Sequence, residues 1–154
     1  MPTPKKYVPS GKPGHSRNSK RLLLPLPRED AEKVVLRCRL ALEQIRCGNA
    51  DRRAADLMAS TPLLTAFLTE AGYGLLPMPV SRETEQMLFN TLDAAGRMGA
   101  WEFSAPLVSN LLLVVNEHDR QLRETRLQAV IDASARLDRY IDKQRSEAEK
   151  AGSA

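Results

Sequence analysis

Aromatic residues are scarce in this 154-residue chain, at 5%. That scarcity argues against a β-sandwich or barrel and favours helices packed through Leu, Val, Ala and Met. Cysteine is almost absent. Cys38 and Cys47 stand nine positions apart on one predicted helix, about 13 Å along its axis, too far for a disulfide and without zinc-ligand spacing. Both thiols fit a reducing cytoplasm. No apolar run nears the ~18 residues of a membrane span. The longest, residues 111–115, reads as part of a helix face. The N-terminus has charge but no apolar segment with a cleavage site, so no secretory signal is expected.

Acid is missing altogether from residues 1–21, which carry Lys5, Lys6, Lys12, Arg17, Lys20 and Arg21. The other 17 basic and 19 acidic residues leave the rest of the chain at −2, so the overall +4 describes a near-neutral body with a basic arm. Pro2, Pro4, Pro9, Gly11, Pro13 and Gly14 oppose regular structure in that arm. Residues 1–27 are therefore expected to be a disordered arm and linker, and residues 28–150 a helical domain. Such an arm can hold phosphates by counterion release without reading sequence.

What is present is helical periodicity. A first helix is predicted from Arg28 to a glycine cap at Gly48, with Ala31, Val34, Val35, Cys38, Ala41, Leu42 and Ile45 as its apolar stripe. A second runs over 51–71, kinked at Pro62 or restarted there with Thr61 as cap. A third starts with Ser81 as cap and ends near Gly99, with Met87, Leu88, Leu92, Ala95 and Met98 inward. Ser104 caps a fourth, and no breaker interrupts the pattern until about Glu147, roughly 60 Å of helix at 1.5 Å per residue. Its second half, with Val130, Ile131, Leu137 and Ile141, is expected to protrude, bend back or pair with another chain. Leucines 22, 23, 24 and 26, interrupted by Pro25, are expected to lie extended over a helix, and Trp101 to plug the core beneath the turn between the third and fourth helices. The fold class is all-α: about four helices, a long C-terminal helix and a basic arm.

Site chemistry is thin. His118 has no second histidine three or four positions away and reads as an amphipathic face residue. No phosphate-binding glycine pattern, nucleophile motif or metal-ligand spacing occurs, so no catalytic residue, cofactor or metal is expected. Arg52 and Arg53 open a helix after a glycine turn, where a major-groove reader would place contacts. Arg120, Arg123 and Arg126 recur every three residues as a basic strip, although Asp119 and Arg123 have ion-pair spacing.

One combination of segments is familiar. Ile45-Arg46-Cys47-Gly48 is followed by Leu68-Thr69-Glu70-Ala71-Gly72-Tyr73-Gly74. Then come Gly99, Trp101 and Phe103, and finally Asn116-Glu117-His118-Asp119-Arg120-Gln121-Leu122 with Thr125. Over residues 30–140 the set resembles small helical accessory proteins of proteobacterial plasmids and prophages, often labelled Fis-like transcriptional regulators. The resemblance implies a cytoplasmic, non-enzymatic protein of mobile elements. The C-terminus departs from Fis, with one helical pattern where a helix-turn-helix would stand. The expectation is a regulator or inhibitor that binds a host or element-encoded protein, including interference with host defence. Val130, Ile131, Leu137 and Ile141 are the candidate contacts to a partner helix or a second copy in a homodimer, and no membrane is involved. The alternative is a DNA-binding regulator using the arm and the helix arginines.

Overall fold

The computed structural model describes residues 17–153, and four of its helices start on a local signal. α1 is Arg17–Leu22. α2, Arg28–Arg46, follows Pro27 and carries Glu29 and Asp30 in its first turn, where acids favour the helix dipole. It stops before Gly48, whose φ of 74° suits glycine. Its predicted stripe is buried, apart from the half-buried Val34. α3, Arg52–Leu68, is capped by Asp51, whose carboxylate accepts from Ala54 N at 2.7 Å. It runs through Pro62 as one helix, so Thr61 is not a cap. The Thr61 hydroxyl instead donates to Leu57 O at 2.8 Å, and Thr61 and Pro62 are both buried. Packing against α2 and the later helices outweighs the lost backbone bond.

A single wide turn, Thr69–Tyr73, with five-residue hydrogen bonding, closes α3. Gly72, inside this turn, departs from helical geometry with φ 96°. α4, Met78–Met98, starts earlier than expected: Pro77 precedes it, Pro79 sits in the first turn, and Ser81 is a buried helical residue instead of a cap. First-turn prolines remove only N–H groups that have no helical partner. Gly99 (φ 70°) ends α4, leaving Met98 79% exposed instead of inward. Trp101 is only half-buried, and Phe103 packs on the core in its place.

The long C-terminal helix is broken. α5, Ala105–Glu124, is capped by Ser104, and α6, Leu127–Gly152, is separate. Thr125 between them is buried and extended. The cause lies far away in sequence. The segment after α1 crosses the break, where Leu127 N donates to Leu24 O at 2.7 Å and Pro25 bridges Arg126. Arg17–Leu22 is a short helix, and the residues from there to Pro27 form a docked strap. Lys5, Lys6 and Lys12 lie outside the described residues. Leu23 and Leu24 are exposed instead of covering a helix.

The main core joins α2, α3, α4 and α5 around Cys38, Leu42, Met58, Leu88, Leu107 and Leu111. α6 bends back along α3, seating Ala129 and Ala133 beside Leu68 and seating Val130 among Ala31, Val35 and Leu122. Residues 142–152 are all exposed. Among the described residues there is no strand, and no helix is long and apolar enough to cross a membrane. The chain is all-α.

Candidate interaction surfaces

Polar residues of α5 hold the wide turn in place. Glu117, with its side chain only 8% exposed, accepts from Leu75 N at 2.7 Å and from both Nε and Nη2 of Arg120 at 2.9 and 2.8 Å. Arg120 also donates to Tyr73 O at 2.7 Å and to Glu124 at 2.6 Å. The Arg120 bonds hold the Glu117 carboxyl below its ordinary pKa, and the same bonds raise that of Arg120. Gln121 is fully buried and donates to Thr65 O and Thr69 Oγ1 at 3.2 and 3.3 Å. His118 is 2% exposed, which corrects the face position expected for it. Burial pushes its pKa down to about 4, so the ring is neutral near pH 7. Among the described residues its Nδ1, Thr65 Oγ1 and Gln121 Oε1 meet no hydrogen-bond partner. Cys38 is likewise buried, and burial raises its thiol pKa against the opposing effect of its contact with the Thr61 hydroxyl. Cys47 is exposed. Among the described residues no three His, Cys, Asp or Glu side chains gather as a metal cluster.

Two grooves flank α3. The first, about 530 Å³, is formed with α4 and α6: Pro62, Leu63, Leu88 and Leu92 line it together with Phe89 and Tyr140. Phe89 is 67% exposed and Tyr140 42%. Tyr140 is set edge-on to Phe67, with centroids 6.4 Å apart. The Arg136 guanidinium covers the Phe67 face at 3.9 Å and donates to Glu70 at 2.6 Å. Arg82 and Glu85 lie at the same groove, and the Glu85 carboxyl is raised by burial and then by the nearby Glu70 charge. The second groove, about 710 Å³, lies between α2 and α3.

The predicted basic contacts are scattered. Arg120 is committed to the turn. Arg123 donates to Asp119 at 2.6 Å, and Arg39 reaches the same carboxylate at 3.3 Å. Arg52 pairs loosely with Asp56 at 3.8 Å, whereas Arg53 lines the second groove. The expected strip of Arg120, Arg123 and Arg126 thus has its first two members tied in ion pairs. The strap instead carries the chain from Lys20 and Arg21 to Arg126, at the start of α6. Those three are exposed and enter no ion pair among the described residues. Arg17 opens α1.

The candidate partner contacts divide too. Val130 is 8% exposed inside the chain's own core and is unavailable to a partner, which corrects its assignment. Ile131 is 44% exposed, and Leu137 and Ile141 are half-buried. Sequence reasoning missed Phe89 and Tyr140. The adjacent pair Leu88-Phe89 was the available signal for the first, because neighbouring helical positions point about 100° apart and only one can face the core. Comparison with protein families, with curated proteins and with solved structures returned no match.

Proposed function

We propose that this protein is a non-enzymatic binding module that takes an apolar helical segment of another protein into the groove between α3, α4 and α6. The observation that carries the reading is the exposure of Phe89 and Tyr140 at an apolar groove. Aromatic anchors at a groove between helices are what an amphipathic helix buries on binding. The scaffold beneath is fixed by the Arg136–Phe67–Tyr140 stack, so little ordering would be needed. Together with the resemblance to plasmid and prophage accessory proteins, this favours a cytoplasmic regulator or inhibitor of a host or element-encoded target. A photo-crosslinking amino acid at position 89 should capture a defined polypeptide in cells, and the same group at Lys143 should not. Adducts independent of position would sink the proposal.

A second reading, phosphate binding, is favoured by one observation: the strap joins the helix bearing Lys20 and Arg21 to the start of α6 at Arg126, and none of the three enters an ion pair among the described residues. With the arm residues they would contribute a sequence-independent attraction to DNA. DNA affinity that falls steeply with salt, and falls again in a Lys20→Glu, Arg21→Glu, Arg126→Glu variant, is the result expected of that reading. Affinity indifferent to these changes would remove it.

A further inference from the structure

The groove between α2 and α3 has its own chemistry. Leu40, Ala41, Ala54 and Leu57 give it an apolar lining, with Leu40 57% exposed. Arg37 stands on the α2 bank and Arg53 on the α3 bank. Neither guanidinium enters an ion pair or hydrogen bond among the described residues. Their neighbours behave differently: Arg39, Arg46 and Arg52 all pair with carboxylates. The one acid at the groove, Asp51, already accepts from Ala54 N as the α3 cap. Apolar lining and two guanidinium groups without an ion pair among the described residues therefore share a cleft of about 710 Å³ that stays net positive beside Asp51, within the range of binding clefts.

We infer that this cleft binds an acidic amphipathic helix of a partner protein, with a leucine-type side chain against Leu40 and Leu57 and flanking carboxylates on Arg37 and Arg53. Charge complementarity selects the acidic partner. Nucleic acid fits less well, because a phosphate backbone would cover Leu40 and Leu57 without burying them against anything apolar. A second copy fits less well too. A two-fold contact places the same patch on both sides, so the arginines would face arginines. The cleft uses Arg53 and Leu57 of α3, whereas the groove bearing Phe89 uses Pro62 and Leu63. The inference therefore does not rest on the function proposed above.

The test uses the full chain and a fluorescein-labelled synthetic helix with leucines at three- and four-residue spacing flanked by glutamates. Its counterpart carries lysine in place of every glutamate. Saturable anisotropy is expected with the acidic peptide only. Arg37→Glu with Arg53→Glu should weaken binding at least tenfold, and so should Leu40→Lys. All three positions are exposed, so the helical circular-dichroism signal and melting temperature should stay near those of the parent. Phe89→Ala with Tyr140→Ala should leave peptide binding intact. Equal binding of the two peptides, no saturable binding, or indifference to the arginine changes would overturn the proposal. So would a dimer in sedimentation equilibrium that Leu40→Lys dissociates, which would give the cleft to a second copy. Duplex DNA binding that requires Arg37 and Arg53, without peptide binding, would give it to nucleic acid.

Discussion

Arg120 and Glu117 lie one turn apart on α5 and share two hydrogen bonds, and together they grip the backbone on both sides of Gly74. Arg120 holds Tyr73 O and Glu117 holds Leu75 N. The pair thus ties a turn of irregular backbone to a regular helix. Charge-assisted bonds with low exposure are stronger than surface pairs. Removing one partner also leaves the other poorly satisfied. Glu117→Gln should destabilise the protein by about 1–3 kcal/mol in urea unfolding. It should also speed amide exchange at Leu75. The acid dependence follows from the lowered Glu117 pKa: the contribution is whole above the unfolded value of 4.5 and is lost as pH falls through the lower folded value. A variant as stable as the parent at pH 7 would show that the turn holds without the clamp.

His118 gives a separate limb at milder acidity. Burial lowers its pKa from 6.5 to about 4, so the unfolded chain binds a proton in that window that the folded chain refuses. Stability should fall as pH drops from 6.5 to 4, by about 3 kcal/mol over the window at ~1.4 kcal/mol per unit. His118→Phe keeps an aromatic ring without the titration and should flatten this limb. Urea midpoints at pH 7, 5.5 and 4.5 measure it. An unchanged slope in the variant would assign the acid sensitivity to another group.

The sequence made the helices of the body legible wherever the apolar stripe was local. Ala31 to Ile45 kept its predicted face, and Asp51 and Ser104 sit at helix starts. The break at Thr125 was illegible because nothing near it breaks a helix. It is held by Leu24 and Pro25, which approach only after folding. The same strap relates Lys20 and Arg21 to Arg126, a relation that no spacing along the chain reveals. Arg120 was misread for a similar reason: its spacing marked a surface strip, while its partner Tyr73 O belongs to a distant turn. The grooves depend on which flank of α3 its neighbours leave open, and periodicity along one helix carries no such information.

Gly74 and Gly72 should both lose stability on replacement, but for different reasons. A Cβ on Gly74 would run into the Thr69 side chain, including its Cβ, although its φ of −99° suits any residue. Gly74→Ala should therefore cost about 1–3 kcal/mol by overpacking. Gly72 has open space but a φ of 96°. Gly72→Ala should cost roughly 1 kcal/mol by backbone strain, and Gly72→Asn less, because asparagine tolerates positive φ. Thermal melts of the three variants separate clash from strain. If Gly74→Ala melts with the parent, the wide turn can open to admit a methyl group.

Val130 and Ile131 are neighbours on α6 with opposite fates, and they provide the sharpest test of how α6 docks. Val130 is 8% exposed among Ala31, Val35 and Leu122, whereas Ile131 is 44% exposed. Val130→Ala removes buried methyl groups and should cost about 1–3 kcal/mol. Val130→Lys forces a charge into the same place and should unfold at least the α6 contact, since an unpaired buried charge has no compensating partner. Ile131→Lys should change stability by no more than about 0.5 kcal/mol. Urea unfolding followed by circular dichroism reads all three. If the two lysine variants behaved alike, α6 would have to leave the body in solution, and Val130 would regain the partner-facing role that the packed fold denies it.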